Sequence, residues 1–207
     1  GLISANISLP INLLDFAVNA NCKKFINLST FIAQFKTISP NRYALTKRQA
    51  EEWGAYYANN YSLHFINLIL HQVFGDGDGK TKFIPWVIKE INNNVDSINF
   101  TEGEQERDFI HVVDVAKAVK LIAEEFDNNK SGFESFDVCS GRVMTVKKFV
   151  EMVKRIAGSD TKLNFGSKEY RKYEIMRLNP NPKLLTNFGW QPSVSLEEGI
   201  TQMLKNI

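Results

Sequence analysis

The chain has 207 residues, of which 43% are hydrophobic and 23% charged, and its formal charge is +2 at pH 7. This composition is typical of a globular protein that can bury a sizeable core. The small charge, without a basic stripe, argues against a nucleic-acid partner, and no apolar run approaches the roughly 20 residues that span a bilayer. Cys22 and Cys139 lie in apolar segments without metal-ligand spacing. We therefore expect buried thiols, no metal and a cytoplasmic protein.

The first half of the chain predicts alternating helices and strands. In order, these are a helix over 4–20, a strand over 24–30, a loop over 31–42, a helix over 43–60 and a strand over 63–70. The helices rest on apolar spacing of three and four residues, and the strands on short β-rich runs. Ser39-Pro40-Asn41 is the start signal of the second helix. Strand, helix and strand in this order indicate a parallel βαβ unit with a right-handed crossover.

The second half is less regular. Its predicted elements are a turn over 75–80, a helix from 83, a strand over 97–100, an apolar segment over 107–113, a helix over 114–125, a strand over 135–139, a helix over 145–157 and a last helix from about 195. The glycine- and aspartate-rich turn looks superficially like a phosphate or calcium loop. It lacks the Gly-Lys-Ser/Thr ending of the first and the later Glu of the second, so a plain turn is favoured.

Tyr43 and Lys47 lie four residues apart at the start of the second helix. This spacing places both side chains on one helical face. An ammonium beside a phenol lowers the phenol's pKa from its ordinary value of about 10, which suits proton exchange with a substrate oxygen near neutral pH. The spacing also occurs often by chance, so the pair alone does not establish catalysis.

Other motifs accompany this pair. A strand ends in Ser29-Thr30 upstream, Gly75-Asp76-Gly77-Asp78 follows downstream, and Arg107-Asp108-Phe109-Ile110-His111 precedes a late Gly189-Trp190-Gln191-Pro192. As an ordered series they resemble the extended short-chain dehydrogenase/reductase family, which includes nucleotide-sugar epimerases, dehydratases and ketoreductases. The resemblance covers almost the whole chain, from Asn6 to the final helix.

The resemblance implies an α/β fold: the C-terminal portion of a Rossmann-like parallel sheet with a smaller substrate-binding α/β region. Residues 1–75, with part of 108–157, would form the remaining half of the NAD(P)-binding domain. Residues 76–107 and 158–207 would form the nucleotide-sugar-binding region. The family's glycine-rich dinucleotide fingerprint is not found in these 207 residues, and by the resemblance it precedes residue 1.

Within the family, the segments 25–31, 75–85, 101–109 and 165–176 resemble reductases of CDP-linked 3,6-dideoxy sugars. Those enzymes reduce the C4 keto group of the sugar with NADPH, for bacterial surface polysaccharide. Ile69 stands where relatives usually carry an arginine, so one polar contact near the site is lost.

The resemblance also implies roles for individual residues. Tyr43 would be the acid that protonates the sugar oxygen, Lys47 would hold the nicotinamide ribose and Thr30 would hydrogen-bond the reacting oxygen. The expected cofactor, NADP or NAD, would be lined by Tyr43, Lys47, Ser29, Leu70 and Val73. The residues expected to bind the nucleotide sugar are His71, Gln72, Lys82, Phe83, Arg107 and Arg171. For Arg107 the alternative is a surface ion pair with a nearby Glu, and His64 and His111 are expected to be packed core residues.

Three functions stay open from the sequence. The first is an NAD(P)-dependent 4-ketoreductase of a CDP-linked deoxy sugar, and the second is a C4 epimerase or dehydratase of the same family. Phe31-Ile32 stand where dehydratases typically carry Asp-Glu, which argues against dehydration. The third is an inactive fragment or a nucleotide-binding module without the dinucleotide loop. A homodimer is expected, through the two helices near Ile11 and Tyr57.

Overall fold

The computed structural model describes residues 1–35, 41–125 and 130–206 and, within them, every side chain except those of residues 125, 185 and 186. The predicted helix-start residues Ser39 and Pro40 lie outside these ranges. Contacts divide the chain into two compact units. Unit 1 comprises Gly1–His71, Lys117–Val138 and Asn181–Trp190, and unit 2 comprises Gln72–Ala116, Cys139–Pro180 and Gln191–Ile207. The functional domains expected from the sequence stay predictions.

The described residues form a mixed α/β fold, as predicted. The helices are α1 (Leu9–Asn19), α2 (Arg42–Asn60), α3 (Phe83–Asn92), α4 (Val112–Glu125), α5 (Val146–Ala157), α6 (Lys183–Phe188) and α7 (Leu196–Lys205). The strands are β1 (Lys24–Thr30), β2 (His64–Leu70), β3 (Gln72–Phe74), β4 (Ser97–Asn99), β5 (Glu106–His111), β6 (Gly132–Val138), β7 (Val143–Thr145) and β8 (Lys162–Asn164). The π-helical turn Ser4–Ser8 precedes α1, and the 3-10 turn Phe31–Gln34 follows β1.

Unit 1 is built on a parallel sheet of order β1-β2-β6. Strand β1, helix α2 and strand β2 form the predicted parallel βαβ unit. In the register, Thr30 lies beside Leu70 and Leu70 beside Val138. Because side chains alternate along a strand, Ser29 and Thr30 point to opposite faces of this sheet.

Helix α2 packs on the sheet face that carries Ser29. Gly54 of α2 lies directly over the ring of Phe65, where a Cβ atom would come within 2.1 Å of the ring. Phe65 is itself stacked between Phe25 and Phe133 of the flanking strands. Leu14 of α1 is also buried in this core. One side of each helix is thus buried in this core.

Unit 2 holds a larger aromatic and aliphatic core. In it β3 pairs parallel and β7 antiparallel with β5, and β4 pairs parallel with β8. The rings of Phe109 and Phe149 stack at 4.3 Å between centroids. Thr145 caps α5 as predicted, and Gly158 ends it with φ of 62°, a left-handed conformation that glycine adopts without strain.

Some sequence predictions were wrong or incomplete. Cys22 is exposed because it lies in the turn between α1 and β1, whereas Cys139 is buried as expected. The short elements β3, β5, β7, β8 and α6 were not predicted as strands or helices, since three to six residues carry too little periodicity to be recognised. His64 and His111 are buried, as predicted. Of the helices in the described residues, none is long and apolar enough to cross a membrane.

Candidate active site

Tyr43 and Lys47 lie in the first two turns of α2. The helix begins after Asn41, whose side-chain oxygen accepts a hydrogen bond of 2.8 Å from the backbone N–H of Ala44. This cap satisfies one of the free N–H groups at the helix start. The Tyr43 side chain is 38% exposed, and the Lys47 Nζ atom lies 5.9 Å from the centroid of its ring. The predicted pair therefore shares one helical face.

Lys47 is also attached to the end of β1. Its Nζ atom donates a hydrogen bond of 2.9 Å to the carbonyl oxygen of Leu28, two residues before Thr30. Burial lowers the pKa of the Lys47 ammonium from its ordinary value of 10.5, while the negative charge of Glu51 opposes that shift. A lysine with a lowered pKa is a feature of many active sites.

Ser29 and Thr30, the two hydroxyl residues at the end of β1, have different surroundings. Ser29 is 3% exposed, and its hydroxyl donates a hydrogen bond to the Glu51 carboxylate on α2. Thr30 is half-buried on the other face of the sheet, in register with Leu70. The cofactor-lining role of Ser29 and Leu70 stays a prediction, as does the role of Thr30.

His71 follows β2 and is buried in unit 1. Its ring stacks on Phe31 at 5.5 Å between centroids, and its Nε2 atom lies 3.6 Å from the Asp137 carboxylate. Within the part of the chain that the structure describes, neither ring nitrogen of His71 has a hydrogen-bond partner. The predicted contact between His71 and the sugar stays untested.

Unit 2 contains a cavity of about 390 Å³, and several of the residues predicted to bind the nucleotide sugar line it. Four of the six residues predicted to bind the nucleotide sugar line it: Gln72, Phe83, Arg107 and Arg171. The other lining residues are Trp86, Asn99, Phe100, Thr101, Gln105, Phe109, Val146, Lys168, Glu169 and Glu174. Aromatic walls with convergent cationic groups suit a ligand that combines a flat ring with phosphates.

Arg107 is held in the cavity wall by neighbouring groups of the protein. Its guanidinium forms an ion pair with the Glu174 carboxylate and donates a hydrogen bond of 2.8 Å to the carbonyl oxygen of Ile175. Burial lowers the pKa of this guanidinium, and the Glu174 charge opposes the change. The pairing with a Glu is the alternative that the sequence left open for Arg107, although the pair lies inside the cavity and is mostly buried.

Lys82 is not among the residues that line the cavity. It immediately precedes α3, and its ammonium forms an ion pair of 2.6 Å with Asp78. Val73 lies in β3, and it too is absent from the lining. Their predicted contacts with ligand and cofactor stay untested. In the described ranges, no group of three or more His, Cys, Asp or Glu side chains is arranged to hold a metal.

Several residues of the site were not predicted. Glu51 continues the four-residue spacing of Tyr43 and Lys47 along α2, and that spacing was the signal that could have found it. Trp86 lies three residues after Phe83 on α3, again on one helical face. Glu174 was noted only as part of a motif, because no sequence pattern pairs it with Arg107 across 67 residues.

Comparisons with known proteins identify the family of this chain. The model of the NAD dependent epimerase/dehydratase family matches residues 1–139. CDP-abequose synthase of Salmonella typhimurium strain LT2 is 36% identical over 207 residues, which cover 98% of this chain and 69% of that protein. Both the predicted family and the predicted subfamily likeness are thereby confirmed.

Solved structures show the same fold. The UDP-glucose 4-epimerase of Thermotoga maritima with UDP-glucose is 25% identical, with a TM-score of 0.80 over 97% of this chain and 68% of that one. The UDP-glucuronic acid 4-epimerase of Bacillus cereus, in complex with UDP-glucuronic acid and NAD, has a TM-score of 0.85 at 21% identity. The match covers 98% of this chain and 67% of the Bacillus cereus chain. At 21% identity, this likeness concerns the fold alone. With the matched family model and the relative above, these findings place the chain in the NAD-dependent epimerase/dehydratase family of enzymes.

Proposed function

We propose that the protein is a 4-ketoreductase of a CDP-linked deoxy sugar, with Tyr43 as the acid and NADPH as the reductant. The observation that carries the proposal is the position of Lys47, whose ammonium faces the Tyr43 ring and is bonded to the Leu28 carbonyl. The substrate class rests on the likeness to CDP-abequose synthase over 98% of the chain.

The residues at this place fit a nicotinamide ribose. An exposed phenol and a fixed ammonium offer hydrogen bonds to ribose hydroxyls at the carboxyl end of parallel strands, where α/β folds bind ligands. A reduced nicotinamide, when bound, supplies the hydride. Thr30 and Tyr43 would both hydrogen-bond the C4 oxygen of the sugar and so hold its carbonyl for attack.

The proton comes from this chain. As the C4 carbon accepts the hydride, the C=O bond becomes a C–O single bond and its oxygen takes the proton of the Tyr43 hydroxyl. The sugar would thereby be reduced to an alcohol by the hydride that NADPH supplies, and solvent would return the proton to Tyr43. Lys47 would stabilise the transient phenolate through its positive charge.

In unit 2, the cavity around Arg107 would bind the nucleotide. The guanidinium can hold two phosphate oxygens at once. Arg171 and Gln72 would add further polar contacts, and Phe83 an aromatic surface for the base. Lys82 and His71 do not line the cavity, so the structure gives less support to their predicted contact with the nucleotide sugar.

The experiment is to replace Tyr43 with Phe and to follow NADPH oxidation with a CDP-linked 4-keto sugar. Since a general acid contributes roughly 10²- to 10⁴-fold, we expect turnover to fall by that factor while circular dichroism is unchanged. Tyr173→Phe, at an exposed position of unit 2 that does not line the cavity, is the matched control. An unchanged rate in Tyr43→Phe would reject the role of Tyr43. Replacing NADPH by NADH in the same assay decides between the two cofactors.

A C4 epimerase is the second candidate, favoured by the likeness to the UDP-glucose 4-epimerase of Thermotoga maritima. An epimerase returns the hydride to the sugar and needs no external reductant. Product analysis with and without NADPH separates the two reactions: conversion to a C4 epimer without NADPH would establish the second.

We also propose that the protein forms a homodimer through an apolar face of α1 and α2. This face consists of Leu13 and Phe16 of α1 and Trp53 and Tyr56 of α2, all exposed. Large apolar side chains clustered on two neighbouring helices are typical of a contact with a partner. A second copy, which presents the same face, would bury both surfaces symmetrically.

A further inference from the structure

Helix α2 carries a third polar residue on the face of Tyr43 and Lys47. Glu51 lies four residues after Lys47 and eight after Tyr43, so the three side chains follow one another by single helical turns. The Glu51 carboxylate accepts the hydrogen bond of the Ser29 hydroxyl. It also accepts from the Gln34 amide, whose Nε2 atom lies 3.1 Å from both carboxylate oxygens.

These contacts fix a negative charge beside the end of β1. Ser29 is the last residue but one of that strand, and Gln34 ends the 3-10 turn that follows it. Two hydrogen bonds from separate segments leave the carboxylate little freedom to turn away. Lys47, bonded to the Leu28 carbonyl on the same strand, is therefore held near a charge of fixed position.

The charge of Glu51 affects the protonation of Lys47 because of what surrounds the ammonium. On α2, the Lys47 ammonium lies near the Tyr43 ring and interacts electrostatically with Glu51. On β1, it donates a hydrogen bond to the Leu28 carbonyl. Arg48, the next residue of α2, is directed to the carbonyl of Phe35 at 3.3 Å. Partial burial favours the neutral amine, and Glu51 is the acidic group that opposes this.

We propose that Glu51 is a positioning residue that keeps Lys47 charged and in place at the end of β1, through its hydrogen bonds with Ser29 and Gln34. It acts on the reaction only through Lys47, and in that respect the inference rests on the proposed function. Ser29 then serves as the anchor of Glu51 on the strand, a role that the residue's burial fits.

The direct test measures Lys47 without any enzymatic reaction. Protein labelled with carbon-13 at the lysine ε position is titrated by NMR from about pH 7 to 11, and Lys47→Arg identifies the Lys47 signal. We expect Glu51→Gln to shift the Lys47 midpoint to lower pH, because the opposing negative charge is lost. Gln keeps an oxygen that can accept the Ser29 hydrogen bond, so the fold should be retained.

The control is Glu52→Gln, which removes the same charge from the adjacent, exposed position of α2. It should leave the Lys47 midpoint where it is in the unchanged protein. Ser29→Ala is the second variant: it keeps the charge but frees the carboxylate, so we expect a smaller shift in the same direction. An equal midpoint in Glu51→Gln and Glu52→Gln would overturn the proposal, whatever the protein catalyses.

A kinetic readout links the position of Lys47 to turnover. In Glu51→Gln we expect kcat to fall by a larger factor at pH 9 than at pH 7, because the neutral form of Lys47 becomes more populated as the pH rises, and KM for the nucleotide sugar to be unchanged. A uniform loss at both pH values, with the NMR midpoint shifted, would show that Lys47 does not act in turnover as proposed. A uniform loss without a shift would mean a merely structural role for Glu51.

Discussion

Arg107 and Glu174 form a mostly buried ion pair inside the cavity of unit 2, with side-chain exposures of 13% and 17%. The two residues are 67 positions apart and lie on strand β5 and on the irregular segment before α6. A phosphate that binds Arg107 would compete with Glu174 for the guanidinium. We therefore expect the pair to lower the affinity of the cavity for anionic ligands.

Glu174→Gln should raise the affinity of the protein for CDP several-fold. The change removes a negative charge next to the guanidinium that is proposed to hold the diphosphate. Isothermal titration calorimetry with CDP measures the effect, and Glu151→Gln, an exposed position on α5, is the control. The effect should shrink at high salt, since ions screen the charge. Weaker CDP binding in Glu174→Gln would instead assign Glu174 to the ligand's own contacts.

Lys47 should react with acylating reagents at lower pH than an ordinary lysine. Burial lowers the pKa of its ammonium below 10.5, so the neutral, nucleophilic amine appears at a lower pH as the pH is raised. Trace labelling with acetic anhydride from about pH 7 to 11, followed by peptide mass spectrometry, gives the midpoint for Lys47. The exposed Lys148 in the same digest calibrates the reagent. A midpoint above 10.5 would contradict the expectation.

Tyr57 should make the protein's stability fall in strongly alkaline solution. Its hydroxyl donates a hydrogen bond to the Asp15 carboxylate, which raises the pKa of Tyr57 to about 12. Above the ordinary phenol pKa of about 10 the unfolded chain loses this proton while the folded chain keeps it. The stabilisation is thus complete below about pH 10 and is lost as the pH rises to 12.

Urea unfolding of Tyr57→Phe tests this sign. At about pH 8 we expect the variant to be less stable by about 1 kcal/mol, because Asp15 is exposed and regains water. The difference from the unchanged protein should shrink between pH 10 and 12. Tyr173→Phe, which changes an exposed tyrosine of unit 2 in the same way, serves as the control. A difference that does not change with pH would refute the link to the Asp15 hydrogen bond.

Gly54→Ala should destabilise the protein, although alanine is the better helix former. A Cβ atom at position 54 would come within 2.1 Å of the Phe65 ring, and stacking on Phe25 and Phe133 prevents that ring from moving aside. Overpacking of this kind costs about 1–3 kcal/mol, against a gain of at most about 1 kcal/mol in helix propensity. The double variant Gly54→Ala/Phe65→Leu should recover part of the loss in urea unfolding, since it removes the ring.

Phe16→Glu should dissociate the proposed homodimer. Phe16 is 69% exposed on the apolar face of α1 and α2, and a symmetric contact would bury one carboxylate from each copy. Sedimentation velocity is the measurement. Tyr173→Glu, which places the same charge on an exposed aromatic position of unit 2, should leave the mass unchanged. A monomeric unchanged protein would refute the dimer.

The sequence by itself determined the elements whose signals are local. Periodicity located α2 and α5, the cap residues Asn41 and Thr145 marked where they begin, and the spacing of Tyr43 and Lys47 placed both on one face. The ordered motifs identified the family because each is a short run of neighbouring residues. The strands β1 and β2 were found from short runs of β-favouring residues. Both were expected to be buried, which is correct for β2, whereas β1 is mostly only half-buried and Leu28 in it is exposed.

Only the tertiary structure decided which distant residues meet. The Arg107–Glu174 pair and the Ser29–Glu51 bond join residues that are 67 and 22 positions apart, and no periodicity in the chain links them. Burial of Ser29 and exposure of Cys22 likewise depend on what packs over each residue. Contacts of this kind form when burial of apolar surface brings strands and helices together. Because the hydrophobic effect is not directional, the sequence does not specify which distant residues will meet.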